Sequence, residues 1–158
     1  MKGDPKVLKT LNDLLADELT AINQYMVHSE MCDNWGYKRL HEKIEHRAVE
    51  EMKHAEKIIA RILFLEGKPT MSKLNKINIG ADVKKQLAFD LRAELDASKS
   101  YNAGIKVAVE AADNVTREML EDILEEEEEH VDWLEAQHDQ IAQYGIENYL
   151  ANQVKEES

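Results

Sequence analysis

Glu94-Leu95-Asp96-Ala97-Ser98-Lys99-Ser100-Tyr101 repeats the frame of Glu18-Leu19-Thr20-Ala21-Ile22-Asn23-Gln24-Tyr25, with Glu, Leu, Ala and Tyr in register. The copies stand 76 residues apart, from 18 to 94. Glu51-Met52-Lys53-His54 returns as Glu127-Glu128-Glu129-His130 at the same offset, from 51 to 127. Each Glu-x-x-His also follows its lone glutamate by 33 residues. One such motif says little in a chain with 32 acidic residues, and most are solvated surface pairs. Two in matching frames read as a duplicated helical hairpin, each copy carrying half of a two-metal site.

Hydrophobic spacing around these motifs is helical. Asp4-Pro5 is a helix start, a capping carboxylate followed by proline where no N–H is needed. Apolar periodicity and breakers place helices at about 5–34, 37–66, 82–112, 114–144 and 146–154, within a single domain spanning 1–158. The second helix is expected to end at Gly67 and Pro69. The connection 67–81 has no helical pattern and is unusually long for a compact domain. Extended, it reaches ~50 Å, about the length of a helix of ~28 residues at ~1.5 Å per residue. It therefore reads as a crossover that makes the second and third helices parallel. The predicted fold is all-α: a ferritin-like four-helix bundle with one long crossover and a short C-terminal fifth helix.

On a helix, residues at i and i+3 lie about 60° apart, so Glu51 and His54 share a face. Ile44, Ala48, Ile58 and Ile62 flank that face, which marks it as the bundle interior. The same count places Glu127 and His130 beside Leu120, Leu124 and Leu134. Glu18 falls among Leu11, Leu14, Leu15, Ile22 and Tyr25, and Glu94 among Leu87, Leu91 and Ala97. Four carboxylates buried together repel one another and lose hydration, which cations would offset. Oxygen and imidazole donors suit Fe(II), Fe(III) or Mn(II). The run Glu125 to Glu129 offers Glu126 as a rival i,i+4 partner for His130, but the repeat maps Glu51 onto Glu127.

Composition narrows the partners. A net charge of −12 disfavours nucleic acid and anionic membrane surfaces. The single cysteine, Cys32, rules out an internal disulfide and fits a reducing compartment. No leader-like or bilayer-length apolar run is visible, so the expected location is cytoplasmic.

Nearly the whole chain resembles the bacterioferritins. The shared motifs are Met1-Lys2-Gly3-Asp4, Ala21-Ile22-Asn23-Gln24-Tyr25, Glu51-Met52-Lys53-His54-Ala55, Ile62-Leu63-Phe64-Leu65-Glu66-Gly67, Asn78-Ile79-Gly80 and Asp132-Trp133-Leu134-Glu135. The resemblance implies iron storage in a 24-subunit cage built from twofold dimers, with a di-iron ferroxidase site in each subunit. It implies that Glu51 and Glu127 bridge two irons, completed by Glu18 with His54 and by Glu94 with His130. The oxidant would be O2 or H2O2, and a ferredoxin-type protein would be the reductant of the mineral.

Met52 lies about 100° from Glu51, on a stripe with Val49 and Ile59, while Leu19 and Met26 form a comparable edge on the first helix. Alone, this stripe reads as a subunit interface. The resemblance adds that two copies of Met52 would ligate haem b or a related iron porphyrin on a twofold axis. Met26 stands where the family often has an aromatic residue. His46 and Glu50 form an i,i+4 pair on the opposite side; the resemblance allows a cavity-facing iron site there, and a plain surface pair fits equally. Arg47 stands where an acidic residue is common in the family. Tyr25 and Trp133 suit electron relay or core packing equally well. A di-iron peroxidase or a haem-binding bundle without a storage role is the alternative function. A rubrerythrin-like enzyme would need a cysteine-ligated iron module, which one cysteine cannot build. A DNA-protecting mini-ferritin often carries a basic tail, whereas this chain ends Lys155-Glu156-Glu157-Ser158.

Overall fold

Side-chain capping sets where the first, third and fourth helices begin. In the computed structural model, which describes residues 1–155, the Asp4 carboxylate accepts from Lys6 N–H at 2.7 Å and starts α1 (Pro5–Asn34). The chain continues through α2 (Lys38–Phe64), α3 (Val83–Glu110), α4 (Asn114–Tyr144) and α5 (Ile146–Ala151). Asp82 caps α3 through Lys85 N–H, and Asp113 caps α4 through Thr116 N–H. The last three residues of the tail, Glu156 to Ser158, lie outside the described residues. Among the described residues no helix is long and apolar enough to cross a membrane.

Three helix ends fall short of expectation, and one is α3, which stops at Glu110 rather than 112. α2 stops at Phe64 rather than 66, and Glu66, not Gly67, takes the left-handed backbone position, at φ 62°. The N–H groups of Glu66 and Gly67 return to the carbonyls of Leu63 and Ile62, closing the helix end. α5 stops at Ala151 rather than 154. The chain turns as Gln153 N–H bonds the Leu150 carbonyl, and the Gln153 carbonyl in turn accepts from Arg39 N–H, tying this end to α2.

The repeat extends to the helix ends. Gly36 after α1 (φ 85°) and Ala112 after α3 (φ 55°) occupy equivalent left-handed positions, again 76 residues apart. An L-residue with a Cβ is strained there by roughly 1–2 kcal/mol. Ala112→Gly is therefore expected to stabilise the fold by about 0.5–1 kcal/mol, part of the relief being offset by unfolded-chain entropy. Equilibrium denaturation checks this; a lowered midpoint would show that strain at 112 is not the controlling factor.

Long-range bonds define the topology. Tyr25 bonds Glu94 while Tyr101 bonds Glu18, so α1 and α3 run antiparallel. His54 bonds Glu126 while His130 bonds Glu50, so α2 and α4 do too. Each hairpin is also antiparallel, which leaves α2 and α3 parallel and the crossover spanning the bundle. α1 holds that crossover with a row of polar side chains. Asn12 accepts from Thr70 N–H, Thr20 from Asn75 N–H, Gln24 from Asn78 N–H and His28 from Gly80 N–H. His28 in turn lies 2.9 Å from Asp90 on α3, which also accepts from Gln24. Gly80 must be glycine, because a Cβ would stand 2.3 Å from Gln86 N.

The apolar core is in two parts. One gathers Leu11, Leu15, Ile58, Ile62, Leu120 and Ile123 toward the start of α1, and the other Leu40, Ile44, Leu87, Leu134 and Tyr149 toward its end. Burying each such side chain contributes about 1.5–3 kcal/mol. Between the two clusters lies a layer of buried polar side chains.

Candidate metal centre

That layer is where the six repeated residues meet. Glu18, Glu51, His54, Glu94, Glu127 and His130, one or two from each long helix, are all no more than 2% exposed. Their ligand atoms fall into two groups, Glu18-Glu51-His54-Glu127 and Glu51-Glu94-Glu127-His130, each within 4.8 Å. Glu51 and Glu127 belong to both groups. His54 Nδ1 lies 3.0 Å from Glu127, 3.3 Å from Glu51 and 3.7 Å from Glu18. His130 Nδ1 lies 3.1 Å from Glu51, 3.3 Å from Glu94 and 3.9 Å from Glu127. The pseudo-twofold axis thus passes between the two histidine rings, whose centroids are 6.5 Å apart.

The electrostatics favour cations. One oxygen on each of Glu18, Glu51, Glu94 and Glu127 is buried without a hydrogen-bond partner. An orphaned buried carboxylate oxygen costs free energy unless something positive meets it. Without metal, burial and then the fields of Glu18, Glu94 and Glu127 hold Glu51 well above the usual carboxylate range. Burial and the field of Glu127 do the same to Glu94. Burial acts to lower the basicity of His54, but hydrogen bonds to Glu127 and Glu18 overcome it and take the imidazole up to about 10. The metal-free layer therefore stores protons that divalent ions would displace. Four carboxylates and two imidazoles, with two carboxylates shared, match an oxygen-rich dinuclear donor set.

Only the structure reveals the groups behind these ligands. His54 Nε2 lies 2.6 Å from Glu126, and His130 Nε2 lies 2.5 Å from Glu50. Glu126 is thus no rival ligand for His130 on its own helix; it serves His54 on the facing one. Glu50 and Glu126 are themselves 76 residues apart, a pairing hidden inside the acidic run. With Nε2 donating outward, Nδ1 is the nitrogen turned to the carboxylates; in His54 it carries the extra proton of the metal-free layer, and it would offer a lone pair to a metal ion that displaced that proton. The tyrosines cross over likewise: Tyr25 donates to Glu94 and Tyr101 to Glu18. Both phenols are fully buried and hold their protons, because burial and the glutamates raise them well above 10.

A cavity of about 180 Å³ between α1, α3 and the crossover reaches Glu18, Glu51, Glu94 and Glu127 from outside, past exposed Arg92 and Asp96. Asp17 lines it; burial and the fields of Glu18 and Asp13 raise this carboxyl to about 6. The other expected residues lie apart. His46 is mostly exposed and 2.7 Å from Glu50, which also contacts Arg47 at 3.1 Å, so the pair is joined to the buried layer through His130. Met52 is 46% exposed, as are Val49 and Met26 to similar degrees, leaving an apolar strip along α1 and α2. Trp133 is half-buried beside Lys43, whose ammonium lies 6.0 Å from the ring centroid.

Comparison with known proteins agrees with this fold. The ferritin-like domain family matches residues 8–144. A bacterioferritin of Brucella melitensis is 42% identical over 149 residues, covering 94% of this chain and 92% of that protein. Bacterioferritin BfrA of Mycobacterium tuberculosis is 42% identical over 151 residues, 96% and 95% of the two chains. A bacterioferritin of Rhodobacter capsulatus is 45% identical over 137 residues, 87% and 85% of the two. With a duplicated bundle, two carboxylate–histidine groups and this breadth of similarity, the chain belongs to the bacterioferritin family of iron-storage proteins.

Proposed function

We propose that this protein is a ferroxidase and iron store. Two Fe(II) substrate ions are bound by Glu18 with His54 and by Glu94 with His130, and are bridged by Glu51 and Glu127. The observation carrying this reading is the four unpartnered carboxylate oxygens converging in a buried layer. Each Fe(II) yields one electron. A pair therefore reduces H2O2 with two protons to two waters, or O2 with two protons to H2O2, without releasing a one-electron radical. Hard carboxylate donors favour Fe(III) and pull the oxidation forward. Ferric product would be stored in a 24-subunit cage assembled from twofold dimers in the cytoplasm, and a ferredoxin-type protein would return electrons for release.

Met52, exposed on the apolar strip, would meet its copy across the twofold axis and hold haem b or a related porphyrin. Two thioether ligands would give such a haem a raised potential suited to electron transfer. If purified protein shows no haem absorbance and Met52→His leaves its spectrum unchanged, that assignment is lost. His46 and Glu50 would bind iron on its way between the dinuclear layer and the cavity.

Aerobic loading tests the central claim. Wild-type protein is expected to oxidise Fe(II) rapidly and to retain ferric iron in a particle of cage mass. Glu18→Ala, Glu94→Ala and His130→Ala are each expected to abolish the rapid phase. Wild-type-like rates in all three would overturn the site assignment. Rapid oxidation without retained iron would favour the peroxidase reading instead.

A further inference from the structure

A second pocket, of about 390 Å³, lies where α5 folds back over the start of α2 and the end of α4. Its chemistry opposes that of the rest of the chain. Thirty-two of 158 residues are acidic, yet none of the nine lining residues is. Two are cations, Arg39 and Lys43, and neither has a carboxylate within 4 Å among the described residues. Each of the other four arginines has a carboxylate within 4 Å, Arg47 with Glu50, Arg61 with Asp113, Arg92 with Asp96 and Arg117 with Glu121. Around the two cations stand carboxamides, among them Gln140 and Asn152, which offer further N–H donors.

The pocket is also held open by the fold. The Gln153 carbonyl accepts from Arg39 N–H at 3.0 Å, and Tyr149 O–H donates to Gln137 at 2.7 Å, pinning α5 to α2 and α4. An arginine fork, a lysine point charge and amide donors around one concave space are the donor set for a tetrahedral oxyanion. We propose that this pocket binds a phosphate-class oxyanion, with Arg39 and Lys43 as its charged ligands. Lys43 and Glu50 lie seven residues apart on α2, so the bound anion sits about 10 Å along the helix from Glu50, the residue that reaches His130.

Trp133 lines the pocket and reports on it. The chain has two tryptophans, so Trp35→Phe leaves Trp133 as the sole indole emitter. In the assembled, iron-free protein, inorganic phosphate at constant ionic strength is expected to shift Trp133 emission saturably. Equilibrium dialysis with labelled phosphate is expected to reach one ion per subunit. Arg39→Gln with Lys43→Gln should weaken binding at least tenfold with helicity and assembled mass unchanged, and Lys43→Arg should retain it. Should the double variant fail to assemble, Lys43→Gln alone is expected to weaken binding severalfold. AMP binding more tightly than phosphate would assign the aromatic wall to a base, and AMP binding no better would assign the free ion. Uptake that does not saturate, that chloride displaces mole for mole, or that the charge-removing variants leave unchanged would overturn the proposal.

Discussion

Glu51→Gln is expected to stabilise the metal-free protein while abolishing rapid Fe(II) oxidation. The two effects share one cause. Glu51 belongs to both ligand groups, is 1% exposed, and has an oxygen with no hydrogen-bond partner. Without metal, Glu51 must either face three other buried glutamates as an anion or take up a proton, which is why its carboxyl lies well above the usual range; an amide of the same shape removes that cost. The gain is expected to be about 1–2 kcal/mol, or roughly 2–8 °C in the melting midpoint of a chain this size. With metal, the same change would take the proposed bridging ligand from both ions, so oxidation should fall at least ~100-fold.

The pH dependence gives the sign. A carboxyl whose folded value is raised, as in Glu51 and Glu94, binds its proton more tightly when folded. Its contribution is most favourable when protonated and is lost as pH rises from the ordinary carboxylate range through the raised value. His54, raised to about 10, contributes stability that is fully present below its ordinary value near 6.5 and is lost toward 10. Together they make the metal-free wild type less stable as pH rises, the carboxyls from their ordinary value of 4.5 upward and His54 only above 6.5, and Glu51→Gln should flatten the carboxyl part of that slope. Metal binding needs those protons gone, so the loaded protein should show the opposite trend. Melts with chelator and with Mn(II) at acidic and slightly alkaline pH would decide. A Glu51→Gln variant that melts lower without metal, or oxidises Fe(II) at the wild-type rate, would refute the argument.

Glu50→Ala should lower the Fe(II) oxidation rate or metal affinity by about 10–100-fold, although Glu50 belongs to neither group of converging ligand atoms. It holds His130 by Nε2, so its loss frees the ring to turn and lowers the donor strength of Nδ1. The change also leaves Arg47, which is only 13% exposed, without its carboxylate. Glu126→Ala is the repeat-related change on His54; Glu126 is 44% exposed and holds no second cation among the described residues, so the expected loss is nearer tenfold. A double-mutant cycle separates positioning from general surface charge. Read on metal affinity, Glu50→Ala should cost almost nothing further once His130 is replaced by alanine. Glu50→Gln, which keeps an acceptor oxygen, should recover part of the activity. Equal losses from Glu50→Ala with and without His130 would show that Glu50 does not act through the imidazole.

Much of this protein could be read from one chain of letters. The 76-residue offset separated Glu127 from its four acidic neighbours, because a duplicated hairpin must place equivalent residues on equivalent faces. The length of 67–81 set the direction of the third helix, since only a crossover of that reach joins parallel neighbours. These are local or one-dimensional constraints, and periodicity and chain length carry them. What lies across the bundle is different. Glu126 and Glu50 flank the ligand face, where helical phase alone permits either a same-helix partner or a facing one. The antiparallel packing of α2 on α4 made the choice, giving Glu126 to His54 and Glu50 to His130. Packing likewise crossed Tyr25 and Tyr101 over to the glutamates of the opposite repeat, and turned Asn12, Thr20, Gln24 and His28 from ordinary helix residues into the row that holds the crossover. A helix's own sequence determines which side chains face inward; which neighbour each one meets depends on where the other helices lie, and that is a property of the whole fold.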